Sequence, residues 1–274
     1  MGRAVGPSGL PVAQRRRSPS PLRIIWAIAL REMRGRFGRR RLGYVWSFIE
    51  PTLYGSTALA WFVLSGSVTP VDLPQILFLL TGFAPWFFFY RLDQYVRFDY
   101  ARNVAMLYHA DVRPLHLLLG RWFLEAPTGL FFIGLVFLGY CLIMNEPRAI
   151  PHNWGAIAVA LALDALMALG FAGIIGTVLL RFEGLGWALG FSVRVVFMTA
   201  GLNFVPDYLP VQWQPIVFWN PMTHIIIEFR RGFLPEYPSH LLDLGFVIDF
   251  TLGLILIALI LERFVARQLV KHTS

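Results

Sequence analysis

The chain has 274 residues, 57% of them hydrophobic and only 15% charged, with a formal net charge of +8 and a mean hydropathy of +0.60. Soluble domains carry about 25% charged residues, so this composition excludes an ordinary soluble protein and predicts an integral membrane protein. The apolar runs are continuous, which excludes an alternating outer-membrane barrel, and Cys141 is the single cysteine, which excludes an intrachain disulfide.

Residues 1–21 hold Pro, Ser, Gly and the run Arg15-Arg16-Arg17 without an apolar block, which predicts a disordered cytoplasmic tail and no cleaved signal peptide. From there, Leu22, Ile25, Trp26, Ala29, Leu30, Met33 and Phe37 follow helical spacing, while Arg23, Arg31, Glu32 and Arg34 fall mostly off that stripe. Residues 22–40 are therefore expected to form an amphipathic interface helix along the inner leaflet. The arginine-dense stretch between Arg31 and Arg41 stays on the cytoplasmic face, because each charge at mid-bilayer costs about 2.5 to 3.5 kcal/mol on insertion scales. Tyr44 and Trp46 fall at headgroup level, and Pro51 falls at a first helical turn, where its missing N–H costs nothing.

Residues 41–274 read as a transmembrane domain of six spans, near 51–68, 73–90, 115–144, 154–180, 187–205 and 244–262, each close to the roughly 20 residues that cross a bilayer. Of the 24 Lys and Arg residues, only Arg148, Arg230 and Arg231 fall in segments read as external, so both termini are expected in the cytoplasm. The excess charge is thus a topology signal and not a nucleic-acid surface. The third block is longer than a bilayer needs and carries Arg121 and Glu125 near its start, so it is expected to project into the cytoplasm. Between the second and third blocks, Tyr95–Asp111 mixes charge with Tyr100, Met106, Leu107 and Tyr108, as suits a helix whose apolar side enters a partner's groove.

The proline-rich stretch Pro206–Pro238 is too broken to span and return, which predicts short external, re-entrant or gate helices between spans five and six. Asn220 is placed to cap a helix with Pro221 at its first position. The helix up to Leu234 would measure roughly 20 Å at 1.5 Å per residue, short of the roughly 30 Å hydrocarbon core. His224, Glu228 and Arg231 recur on one face, which is expected to look into a water-filled vestibule or onto a twin helix.

Lys271 is the only lysine and no glycine precedes it, so a phosphate-binding loop ending in Gly-Lys-Ser/Thr is impossible and any ATP work belongs to a partner. His109 and His116 lack a local ligand set and His224 with Glu228 offers at most two, so no metal is expected. Asp164 and Arg194 lie inside apolar blocks, where ionisable groups are functional candidates; for Asp164 a buried helix-to-helix hydrogen bond weighs equally. Trp61 and Phe62 in the first block are candidate pore aromatics that could stack on sugar rings, whereas Trp86–Tyr90 reads as an interfacial belt. A membrane enzyme acting on lipid-linked sugars is the alternative from another class, with Asp93, Asp99, His109, Asp111 and His116 as acid or base types, but their spacing supports no particular reaction.

Arg31-Glu32, Arg36-Phe37-Gly38, Arg41-Leu42-Gly43-Tyr44-Val45-Trp46 and Glu50-Pro51 together resemble the membrane-insertion segment of the inner-membrane permeases that export capsular and O-antigen polysaccharides, in the type 2 ABC exporter superfamily. Trp219-Asn220-Pro221-Met222-Thr223-His224, followed by Glu228 and Arg230, resembles the external segment of the same family, and Val112-Arg113-Pro114 and Arg194 resemble its entrance to the third span and a basic position in its fifth. The resemblance covers about residues 22 to 265. It implies a homodimer of six-span subunits docked to two copies of a cytoplasmic ATPase that carries the ATP and Mg, no cofactor on this chain, a lipid-linked polysaccharide as substrate and periplasmic export proteins as further partners. It implies an interface helix over Leu22–Phe37, a coupling helix within Tyr95–Asp111 and gate helices within Pro206–Leu234. A lipo-oligosaccharide or drug exporter of the same superfamily is the alternative within transporters.

Overall fold

The computed structural model describes residues 20–39, 71–103, 106, 112–182, 185, 193 and 195–271, and among these all regular structure is helical. The helices are α1 (Pro21–Arg39), α2 (Gln75–Arg102), α3 (Pro114–Met144), α4 (Trp154–Arg181), α5 (Gln214–Phe218), α6 (Pro221–Phe233) and α7 (Leu244–Lys271), with single 3-10 turns at Pro147–Ala149 and Pro206–Tyr208. Among the described residues four stretches are long and apolar enough to cross a membrane: Gln75–Phe98, Pro114–Met144, Trp154–Leu179 and Leu244–Phe264. They correspond to the second, third, fourth and sixth expected spans. The first expected span, 51–68, lies outside the described residues, as do residues 187–192 and 194 of the fifth.

The helix ends follow from local chemistry. Pro114 disfavours helical backbone at Arg113, which is extended at φ −105°, ψ 155°, and the Arg113 amide donates to His116 Nδ1 at 3.1 Å. Asn153 caps α4 by accepting from the Ala156 amide at 3.1 Å, and Asn220 caps α6 by accepting from the Met222 amide at 3.0 Å, with Pro221 in the first turn.

Two boundaries differ from the sequence reading. The second block was expected to close at residue 90, yet α2 continues to Arg102. Its charges do not break it because Asp93 and Arg97 pair one turn apart at 3.2 Å and both are buried. Residues 95–102 of the segment Tyr95–Asp111 therefore belong to α2, and most of its remainder lies outside the described residues. The fifth block was expected to run to 205, yet residues 195–199 are helical and the chain turns at Gly201, whose φ of +76° suits glycine. The carbonyls beyond that turn leave the helix for another partner, described below.

α2 and α4 form the central pair, with α3 and α6 against α2, α6 and α7 against α4, and α1 against α3. The core gathers Leu77, Phe78, Phe89 and Leu92 of α2, Met167 of α4, and Met222, Ile225, Ile226, Ile227 and Phe229 of α6. Only 11% of the apolar stretches of α3 and of α7 is buried, against 67% for α2 and 56% for α4. α3 and α7 thus present apolar faces to the surroundings. The stretch Trp86–Tyr90, expected as an interfacial belt, packs inward instead: Trp86 meets Phe197 edge to face at 5.1 Å and Phe89 meets Phe171 at 5.5 Å. Large aromatic rings serve a core and a belt equally well, so type alone could not separate them.

Candidate functional site

Two polar clusters occupy opposite ends of the bundle. α1 touches α2 near Asn103, whereas α6 touches it near Phe78; at 1.5 Å per residue these points lie about 37 Å apart along the helix, more than the roughly 30 Å of a hydrocarbon core.

At the α1 end, Ile25, Ile28 and Ala29 are buried, with Ile28 packed among Val96, Leu117, Leu118 and Ala172. Leu22 and Trp26 face outward, Trp26 at 64% exposure, so the apolar stripe of α1 is shared between the protein and its surroundings. Polar contacts fasten the same helix. Arg31 reaches Glu32 at 2.9 Å and Asn103 Oδ1 at 2.7 Å, and Glu32 accepts from Arg121 at 3.2 Å. Arg121 and Arg91 both bind the fully buried Glu125, at 3.0 and 3.2 Å. The Tyr95 ring stands 5.0 Å from the Arg91 guanidinium and 5.4 Å from that of Arg121. Met106 is half-buried and packs on the Ile28–Leu117 cluster. Tyr100 lies on α2, with its side chain outside the described residues, as are Leu107 and Tyr108.

At the other end, α6 is almost wholly buried. Arg230 is fully buried, and donates from Nη1 to the carbonyls of Gly201 at 2.8 Å and Phe204 at 3.3 Å and to Tyr237 Oη at 3.0 Å. Its Nη2 donates to the carbonyls of Leu202 at 2.6 Å and Phe78 at 3.3 Å, and the guanidinium sits 4.0 Å above the Phe78 ring. One side chain thereby satisfies the carbonyls that left the fifth block and ties them to α2. Sequence reading counted Arg230 among external basic residues and missed this role. A cation inside Ile225–Phe229's apolar neighbourhood was the available signal.

The stripe His224, Glu228 and Arg231 does not form an open polar face. His224 is fully buried, its Nδ1 accepts from the Asp243 amide at 3.0 Å, and its Nε2 lies 2.8 Å from the Phe218 carbonyl. An amide can donate only to an unprotonated ring nitrogen, so the proton sits on Nε2 and the ring is neutral. Burial, the largest influence, lowers its pKa accordingly. Glu228 is also buried and accepts from Arg231 at 2.7 Å, leaving Arg231, at 39% side-chain exposure, as the stripe's outlet. The expectation of a vestibule-facing stripe is thus corrected: His224 spends its polarity closing α5 and α7 onto α6.

Asp164 is buried in α4, and among the described residues neither of its carboxyl oxygens has a hydrogen-bond partner. Arg41, Gly43, Tyr44, Trp46, Glu50, Pro51, Trp61, Phe62 and Arg194 lie outside the described residues.

Residues 23–234 match the family described as ABC-2 type transporter. The chain belongs to that family. This ABC-2 transporter is 28% identical over 243 residues to the capsule polysaccharide export inner-membrane protein BexB of Haemophilus influenzae, covering 88% of this chain and 90% of BexB. It is 25% identical over 238 residues to the polysialic acid transport protein KpsM of Escherichia coli, covering 86% and 91%. It is 24% identical over 234 residues to the O-antigen export system permease protein RfbA of Klebsiella pneumoniae, covering 82% and 87%.

Proposed function

We propose that this chain is the permease subunit of an ABC exporter that moves a lipid-linked polysaccharide of capsule or O-antigen type outward across the inner membrane. The observation that carries the reading is the near end-to-end similarity of an ABC-2 chain to relatives named for capsule, polysialic acid and O-antigen export. ATP work belongs to a partner, because this chain has no phosphate loop of its own, and in this reading two permease copies work with two copies of a cytoplasmic ATPase. The four membrane-length helices, with blocks 51–68 and 187–205, make six spans. Charge supports the orientation: Arg23, Arg31, Arg34, Arg97, Arg113 and Arg121 gather at the α1 end, which is the cytoplasmic one, with both termini.

In this reading α1 is the interface helix, with Trp26 at headgroup level, and α5 with α6 forms the external gate. The segment after α2 carries the ATPase contact, with Met106 holding its start against α1 and α3. The chain contributes a path and a gate, and the partner contributes the chemistry of ATP hydrolysis. Purification of the chain with its candidate ATPase tests this. The expected product holds two copies of each subunit and a copurifying glycolipid. A complex without an ATPase, or one whose bound cargo is a small amphiphile with no glycan, would overturn the reading.

A further inference from the structure

α1 divides its surface into strips of different chemistry. At roughly 100° per residue, Ile25, Ile28, Ala29 and Glu32 share the face turned to the protein, where the first three are buried. Half a turn round the helix, Arg23 and Arg34 fall within about 20° of one line, and both are exposed. Leu22, Trp26, Leu30 and Met33 fill the strip to one side of that line, with Leu22 76% and Trp26 64% exposed. Glu32 is the only acid in the helix, and it lies on the protein side, held by Arg31 and Arg121. Among the described residues, neither the Arg23 nor the Arg34 side chain has a hydrogen bond or ion pair. The outward face of α1 thus sets cations beside an apolar strip and carries no anion.

The depth of this face follows from what α1 crosses. A side-chain carbon on Gly120 of α3 would lie 2.9 Å from Ile28 Cγ2 and 3.2 Å from the Ile25 carbonyl oxygen, so the α1 backbone rests directly on α3 there. The membrane-length stretch of α3 has 31 residues, about 46 Å against a hydrocarbon core of roughly 30 Å. Its far end, Leu142, Ile143 and Met144, is apolar and exposed, which places the excess of about 16 Å at the α1 end. Gly120, about 9 Å from Pro114, falls within that excess. On α2, Ile28 meets Val96, next to the end of the membrane-length stretch at Phe98. α1 therefore lies across two membrane helices at headgroup depth. Phe98 and Phe123, at the same level, are 51% and 49% exposed, so the apolar surface continues onto both neighbours.

We propose that the outward face of α1 is a docking surface for anionic phospholipid of the inner leaflet, with Arg23 and Arg34 on headgroup phosphates and Leu22 and Trp26 among the adjoining acyl chains. The proposal rests on the reading of α1 as the interface helix of a permease and names the lipid that the helix takes. Charge selects the occupant: two arginines with no carboxylate beside them favour a headgroup of net negative charge over a zwitterionic one, roughly fivefold for each arginine near the surface. The guanidinium fork also matches a phosphate better than an ammonium would. Arg23 and Arg34 stand about 16 Å apart along the axis, so each meets a separate headgroup. A soluble protein would have to cover Leu22 and Trp26 as well, whereas at this depth the bilayer already does so.

Ala27 is exposed beside the two arginines and takes the reporter. The full chain carrying Cys141→Ser and Ala27→Cys is labelled with bimane and reconstituted into vesicles of about three parts phosphatidylcholine to one of phosphatidylglycerol. Bromine sits at the shallow end of the acyl chains, on the phosphatidylglycerol in one set and on an equal amount of the phosphatidylcholine in the other. Brominated phosphatidylglycerol is expected to quench at least about twofold more. R23Q/R34Q should abolish that preference without changing thermal unfolding, and R23K/R34K should keep it. Equal quenching by the two lipids in the parent, or a preference that persists in R23Q/R34Q, would overturn the proposal. So would quenching by neither lipid, which would put the face in water or against a protein. Loss of the preference on adding inorganic phosphate at constant ionic strength would make this a site for free phosphate, and would also overturn it. The measurement needs neither the ATPase nor the cargo, so its failure leaves the permease reading standing, while absence of an ATPase on copurification tells against that reading alone.

Discussion

The Nη2 of Arg230 lies 2.7 Å from the place a side-chain carbon on Gly82 would occupy. The same point is 2.7 Å from the Leu202 carbonyl oxygen and 3.1 Å from its Cα, so the neighbours that would have to give way include backbone. Gly82→Ala is expected to push the guanidinium off its carbonyls and lower stability by about 1 to 3 kcal/mol, the usual cost of forcing extra atoms into a packed core. Thermal unfolding in detergent, compared with an alanine at Gly134, where an added carbon meets nothing within 4 Å, checks this. Equal melting of the two variants would show that the approach is slack.

Arg230→Lys should fail where a charge count says it should pass. The guanidinium spreads two terminal nitrogens over four carbonyls and a hydroxyl, and a single ammonium cannot cover that span. Each buried carbonyl left without a donor costs about 1 to 3 kcal/mol, so R230K is expected to unfold at clearly lower temperature and to lose most of its export. Extracellular polysaccharide at fixed protein level measures the second effect. A fully active R230K would reduce Arg230 to a counter-charge.

His224 gives the α6 end a response to acid. Its pKa is lowered by burial, against the Phe218 carbonyl and the Asp243 charge, which pull it upward. A histidine with a folded value below its unfolded value stabilises the fold above the unfolded pKa, and that contribution is lost as pH falls below about 6.5. Protonating Nδ1 would also turn it against the Asp243 amide that now donates to it. Wild type is therefore expected to lose stability as pH drops below that point, and His224→Gln to show a flatter profile. Identical profiles would assign the acid response to another group.

Asp164 is a carboxyl group buried without a hydrogen-bond partner among the described residues, and such burial costs about 1 to 3 kcal/mol by protein mutational data. Asp164→Leu is expected to raise the melting temperature. Export by the stabilised variant then sorts the two readings of the residue: unchanged export makes it packing, and reduced export alongside higher stability gives it a part in transport. A lower melting temperature would count against the absence of a polar partner.

Topology is best tested at Arg231, since Glu228 is buried beneath it. In a background with Cys141 replaced by serine, R231C should react with a membrane-impermeant thiol reagent added to intact cells. Reaction only after the inner face is opened would invert the orientation given above.

What the sequence disclosed was set by how local the cause is. α3, α4 and α6 were legible because Pro114, Asn153 and the Asn220-Pro221 pair act within one turn of the ends they define. The end of the fifth block was not, because its carbonyls are claimed by Arg230 about thirty residues later in the chain. The extension of α2 past Tyr90 depended on ion pairs reaching α3, and the inward packing of Trp86 on Phe197, neither of which spacing along one segment can reveal. His224 shows the converse: its position on the helix was readable, but its partners at Phe218 and Asp243 come from elements on either side.

Among the described residues the Arg230 clasp is built from carbonyls and one phenol, and no carboxylate takes part in it. Acid has nothing there to neutralise, and added salt has no exposed pair to screen. The contact of α6 with α7 through His224 is the opposite case, since a proton on Nδ1 removes the acceptor of the Asp243 amide. The two sides of one short helix thus answer to different conditions: acid weakens its hold on α7 and leaves its tether to α2 untouched.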